Sequence, residues 1–308
     1  MTPPSLPAPF AQMEEIALVA HDAGGAEILS ALALQHAEYA WRICAHGPAA
    51  AVFARKMKFH PFTLEAAMHG AQGLLCGTGW HSDLEWRAMQ AAQQAGMPSA
   101  AFLDHWVNYR QRFTREGQTV WPSQIWVGDD DAHRLAQAML QAEGAQQVAL
   151  SLYPNPYFAE IRAQFARLKS QAPQAFADSP HLLFVSEPLA ALAEREYGDP
   201  RHWGYTELEA LDYLIEKLPA NSHVVIRPHP SEAADKFDAY LKHPKLHIHV
   251  DSATPLYVQI AAARTVYGCN SMALVVALLA EKPVVCCIPP GGKGRVLPHR
   301  EIGLLQSD

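Results

Sequence analysis

Short apolar runs recur along this chain, and each ends in a glycine or polar cluster that opens a stretch with helical spacing. The run at 15–20 (EIALVA) ends at HDAGG, and helical spacing follows over 26–35. Further strands are expected at 41–45, 72–76, 99–103, 124–127 and 147–150, with helices over 84–95 and 132–142. A segment at 157–180 begins helical and turns polar and linker-like. The pattern then restarts, with strands expected at 181–186, 223–227, 246–250, 265–267 and 283–288 and helices at 205–218, 234–241, 255–262 and 272–280. Strands that alternate with helices, and carry polar residues at their carboxyl ends, indicate parallel sheets covered on both faces.

Two successive halves of this kind predict an α/β chain of two Rossmann-like domains, 1–165 and 178–308, whose parallel sheets face across a cleft. Hydrophobic residues make up 49% of the 308 and charged residues 18%. That supplies apolar material for two cores and too little charge for a disordered chain. A net charge of −7 gives no general attraction for nucleic acid or anionic lipid, so an anionic ligand needs a local site. Cys44, Cys76, Cys269, Cys286 and Cys287 form no CxxC pair and sit in apolar runs. Reduced, buried thiols in a cytoplasmic protein are expected. The amino terminus has no basic segment leading into a long apolar one, and the apolar stretch around 272–280 is too short to span a bilayer. Peripheral association with a membrane surface stays open. Residues 2–9 are proline-rich and read as a loose tail.

In parallel α/β sheets, ligands bind beyond the carboxyl ends of the strands. The first candidate cluster there is His21, Asp22, Gly24 and Gly25. The glycines admit a ligand to the backbone, and Asp22 is placed to act as a general base on an acceptor hydroxyl. The alternative is that Asp22 caps the next helix. Gly77, Thr78, Gly79, His81 and Ser82 form a second cluster, either a substrate-binding turn or a plain loop before a capped helix. The third, Asp104, His105, Trp106, Asn108, Tyr109 and Arg110, mixes acid, imidazole, aromatic and guanidinium groups suited to a sugar or other polyol. Its alternative is a packed loop in which Arg110 and Arg112 pair with acids. In the fourth, Arg227-Pro228-His229-Pro230, two prolines restrict the backbone around a histidine that can hold a phosphate oxygen beside Arg227. The fifth is Gly268, Cys269, Asn270 and Ser271, which opens a helix whose free amides and dipole favour a phosphate. Ser271 also reads as an ordinary N-cap.

Other chemistries are missing from the sequence. PPGGKGR at 289–295 lacks the Walker spacing, no GxSxG elbow exists, and no DxD pair points to a metal. The acidic run 129–131 offers carboxylates that could bind a metal, but reads first as a helix cap.

RPHP at 227–230 and GCNSMALVVALLAEKPVV at 268–285 resemble the C-terminal half of GT-B glycosyltransferases, most of all bacterial sialyl-, polysialyl- and capsule-type transferases. There is also likeness to UDP-N-acetylglucosamine 2-epimerase folds. The resemblance implies that His229 and Ser271 hold the phosphate of a nucleotide-sugar donor, with Arg227, Gly268 and Asn270 around it. It further implies an acidic base on an amino-domain loop, for which Asp22 is the candidate; the neighbouring second carboxylate of that group is replaced by Ala23. A glycan-type acceptor would meet His21, Gly24, Gly25, Thr78, Asp104, His105, Asn108 and Arg110. No metal and no cofactor beyond the nucleotide sugar as substrate is implied. The expected activity is metal-independent glycosyl transfer in polysaccharide biosynthesis. An epimerase or hydrolase on the same fold, or a non-catalytic nucleotide-sugar-binding protein, is the alternative.

Overall fold

The computed structural model describes residues 3–79, 82–171 and 181–305. The chain divides into two compact units, Met1–Glu160 and Ile161–Asp308. The expected position His81 lies outside the described residues.

The first unit is built on β1 (Glu15–Ala20), β2 (Ala40–Ala45), β3 (Gly73–Cys76), β4 (Ser99–Phe102), β7 (Gln124–Val127) and β8 (Ala149–Leu152), all parallel, in the order β2-β1-β3-β4-β7-β8. A small hairpin, β5 (Thr114–Arg115) with β6 (Gln118–Thr119), stands apart. The central strands are buried along their whole length because helices cover both faces, so they read as continuous apolar runs. Those helices are α1 (Ala23–Gln35), α2 (Pro48–Lys56), α3 (Leu64–Met68), α4 (Leu84–Gln94), α5 (Tyr109–Arg112) and α6 (Asp130–Ala142), while α7 (Pro156–Gln171) begins in this unit and continues into the second.

One expectation about this unit is overturned. Residues 4–10 are docked, not loose. Leu6 and Phe10 are buried, Phe10 meets Trp126 edge-on at 5.3 Å, and Gln124 Nε2 donates to the Ala8 carbonyl at 2.6 Å. A side chain as large as Phe10 gains enough from burial to hold its neighbours in place.

The second unit has β9 (His181–Val185), β10 (His223–Arg227), β11 (His247–Val250), β12 (Thr265–Gly268), β13 (Val284–Cys286) and β14 (Ile302–Leu304), again all parallel, in the order β11-β10-β9-β12-β13-β14. Its helices are α8 (Leu189–Tyr197), α9 (Glu207–Lys217), α10 (Leu256–Ala262) and α11 (Met272–Leu279). A full capping box starts α9, with Thr206 and Glu209 reciprocally bonded. The helix expected at 234–241 is not formed; only a 3-10 turn, Asp238–Tyr240, is present. Here Phe237 is drawn into the core, and Glu232 and Lys236 turn inward to a buried ion pair.

Both sheets reverse direction of winding at one place, between β1 and β3 in the first and between β9 and β12 in the second. That reversal opens a crevice beyond the strand ends. All five cysteines are buried and free, as expected. No helix among the described residues is long and apolar enough to cross a membrane.

Candidate functional site

At the reversal point of the first sheet, β1 delivers His21 and Asp22, and β3 delivers Gly77, Thr78 and Gly79. Asp22 stands at the N-cap position of α1, yet its side chain makes no cap bond. It turns instead to His21, with Nδ1 to Oδ1 at 2.9 Å, and both side chains are 27% exposed. The carboxylate lies against Gly79, where an added Cβ would come within 2.7 Å of its Oδ2. Behind the pair sits Glu85, buried at the start of α4, whose Oε1 accepts the His21 N–H at 2.7 Å. Among the described residues its Oε2 has no hydrogen-bond partner, and burial pushes this carboxyl above the usual range, with Asp22 adding to the rise. A cavity of about 460 Å³ opens beside the pair, lined by His21, His46, Gly47, Thr63, Ser82 and Arg87 among others. Glu85, His46 and Arg87 were not singled out from the sequence; nothing in their local pattern marks them.

Several expected contacts are used by the protein itself. Helix α1 starts at Ala23, so Gly24 and Gly25 lie in its first turn and not in an open loop. A Cβ at Gly24 would stand 2.2 Å from Asp104 Oδ2, and one at Gly25 would stand 3.2 Å from the Gly77 Cα. These glycines allow close packing of α1 on Asp104 and Gly77, with Gly25 buried and Gly24 exposed. Thr78 is 1% exposed; its hydroxyl meets Arg112 Nη1 at 2.9 Å and donates to the Phe102 carbonyl at 3.4 Å. Asp104 is bound to Arg112 at 2.5 Å and is not offered to an acceptor. Arg110 points away, with Nε on Glu143 at 2.9 Å. His105 Nδ1 accepts the Trp106 N–H at 2.9 Å, and Asn108 is exposed in a left-handed conformation, φ 57°. Trp106 donates to Asp129, which also caps α6 through the Ala132 amide at 2.7 Å.

The Arg112–Asp104 pair is nearly buried, so removing one partner strands the other charge. Arg112→Met is expected to lower stability by about 3–5 kcal/mol, read from the urea midpoint.

At the reversal point of the second sheet, β10, β9 and β12 are neighbours, and their carboxyl ends carry His229, Glu187 and Ser271. His229 is exposed, and its ring is pinned through Nδ1, which accepts the Ser231 N–H at 3.2 Å and stands 2.8 Å from Ser231 Oγ. A nitrogen that accepts from an N–H carries no proton, so this bonding assigns the proton of the neutral ring to Nε2, a donor. The loop is held by Glu232, 1% exposed at its side chain. Its Oε2 accepts the His229 N–H at 2.6 Å, and its Oε1 accepts from Ser186 Oγ at 2.9 Å and from Lys236 at 2.7 Å. Ser271 caps α11 through the Ala273 amide at 3.2 Å.

Two expected phosphate ligands are committed elsewhere. Arg227 Nη1 donates to the Thr254 carbonyl at 2.6 Å and to Gln259 Oε1 at 2.7 Å, which ties β10 to the start of α10. Asn270 Oδ1 accepts the Val296 N–H at 2.8 Å, and its own N–H donates to Glu187 Oε1 at 2.7 Å. Gly268 is packed against Val185, where a Cβ would fall within 2.9 Å. Glu187 is the residue the sequence reading missed. Its trace was an acid directly after an apolar strand (FVSEP), the same position that had drawn attention to Asp22 and Asp104.

No protein-family profile matches the chain, and no curated protein sequence does. Solved structures do. UDP-GlcNAc 2-epimerase from Methanocaldococcus jannaschii aligns with a TM-score of 0.57 at 12% identity, over 88% of this chain and 83% of that one, and it has also been solved in complex with UDP-GlcNAc and UDP. The glycotransferase of kitacinnamycin gives 0.55 at 15% identity, over 92% and 82%. Acinetobacter baumannii MurG gives 0.51 at 10%, over 90% and 80%. At these identities the likeness shows the fold: α/β, with two Rossmann-like domains of the kind found in GT-B glycosyltransferases and UDP-GlcNAc 2-epimerase.

Proposed function

We propose that this protein is a cytoplasmic glycosyltransferase that moves a sugar from a nucleotide-activated donor to a hydroxyl of a glycan-type acceptor, in polysaccharide biosynthesis. The observation that carries the reading is His229: an exposed imidazole, fixed by Ser231 and Glu232, with an N–H donor at the same carboxyl sheet edge that carries the Ser271 helix start. In the second unit His229 and Ser271 would hold the donor phosphate. In the first unit Asp22, oriented by His21, would take the proton from the acceptor hydroxyl, with His105 and Asn108 as further acceptor contacts and the neighbouring cavity as the place for the acceptor. The acceptor oxygen then bonds to the anomeric carbon, the bond from that carbon to the phosphate oxygen breaks, and the His229 N–H stabilises the charge that develops there.

The reading is metal-independent. Transfer in excess EDTA is expected to match transfer in added Mg²⁺ or Mn²⁺; a loss restored by metal would overturn that part. The test of the whole is incubation with UDP- and CMP-sugars, with and without oligosaccharide acceptors, followed by NMR of the products. New glycosidic linkages only when acceptor is present support transfer. The fold shared with the 2-epimerase supports a second reading, in which the donor is converted with no acceptor present. Binding without turnover of any donor would instead mark a non-catalytic nucleotide-sugar-binding protein.

A further inference from the structure

Glu187, Glu207 and Glu232 gather at the carboxyl edge of the second sheet. Lys236 pairs with Glu207 and Glu232. Among the ion pairs between described residues, none includes Glu187. Its carboxylate rests on backbone amides instead: the Asn270 N–H at 2.7 Å, with the amides of Ser271 and Cys269 also directed to it. These amides lie in the turn between β12 and α11, where the nucleotide-sugar reading puts the donor phosphate. A carboxylate and a phosphate cannot share them while both are charged, because like charges at that distance raise each other's cost steeply.

We propose that Glu187 is a proton-linked occupant of the phosphate cradle: charged, it fills the amides, and on donor binding it takes one proton from solvent, releases them, and donates its new O–H to a phosphate oxygen. This rests on the nucleotide-sugar reading above. The surroundings favour it. Glu232 faces Glu187 from the β10 loop, Tyr205 faces it from the segment before α9, Cys269 from the end of β12 and Cys286 from β13. None of these supplies a positive charge. Burial, opposed only by the amides, pushes the Glu187 carboxyl from 4.5 up to about 7, so the proton is available near neutral pH.

The sign follows from proton linkage. Below about pH 7 the free protein already carries the proton, and donor affinity is flat. Above it, each bound donor draws in a proton, and affinity falls by about tenfold per pH unit. The experiment takes the full chain and the tightest binder from a panel of UDP- and CMP-sugars, whose esterified phosphates do not titrate near neutrality. Calorimetry from pH 6 to 9, in buffers of different ionisation enthalpy, is expected to show weakening above pH 7 with uptake approaching one proton. Glu187→Gln, which cannot ionise, is expected to bind with pH-independent affinity and no uptake. A flat wild-type profile overturns the proposal, and so does uptake that persists in Glu187→Gln. If that variant does not fold, the wild-type slope and buffer series decide alone. Failure of every nucleotide sugar to bind wild-type protein at any pH overturns the donor reading itself, and is distinct from binding without proton uptake.

Discussion

Alanine at His229 is expected to lower kcat/KM for transfer by about 10²–10³ and to weaken nucleotide-sugar binding in the same protein. The substitution removes an N–H donor whose position is set from two sides, by Ser231 at the ring and by Glu232 at the backbone. A fixed donor stabilises the departing phosphate in the transition state without first reorganising, so the loss falls on kcat as well as on binding. Ser231→Ala removes the Oγ contact but leaves the backbone N–H on Nδ1 and the Nε2 donor, so a smaller loss, confined mostly to kcat, is expected. Steady-state kinetics beside calorimetry separate these outcomes. Full activity in His229→Ala would remove the assignment.

Asp22→Asn should leave donor affinity unchanged and lower kcat by about 10²–10⁴, the range for losing a positioned general base. The carboxamide keeps the shape that fits against Gly79 and can still meet His21, so the fold has no reason to change. It cannot accept a proton from a hydroxyl. Comparing donor binding with single-turnover transfer in this variant tells a base from a binding residue. A loss of donor binding, or no loss of transfer, would contradict the role.

The fold was legible because the strands of a parallel sheet are buried on both faces. EIALVA, QIWV and HVVIR could be read from composition and from the polar residues that end them, and the first of the three lies at a reversal point. What stayed hidden was short or set by long-range packing. Helix α3 is five residues long, β14 three, and the Phe10 segment is ordered by Trp126, far along the chain. The rule that ligands gather at carboxyl edges singled out His21, Asp22, His229 and Ser271 as candidates. It could not show which polar groups there already had partners. Thr78, Asp104, Arg110, Arg227 and Asn270 are bound within the protein by residues distant in sequence, such as Arg112, Glu143, Gln259 and Glu187. Not every histidine lies near these edges. His181, His223 and His247 stand in register at the opposite, amino edge of the second sheet, with the His223 and His247 rings stacked at 4.6 Å.

The central claim is that the His229 ring and the start of α11 grip one phosphate group. Titrating isotopically labelled protein with UDP-GlcNAc and CMP-linked sugars, and following the His229 ring nitrogens with the backbone amides of Asn270 and Ser271, tests it directly. These resonances are expected to move together, along one saturation curve, with the His229 Nε2 proton protected from exchange in the complex. Saturable binding that shifts other parts of the chain and leaves both groups still would contradict it.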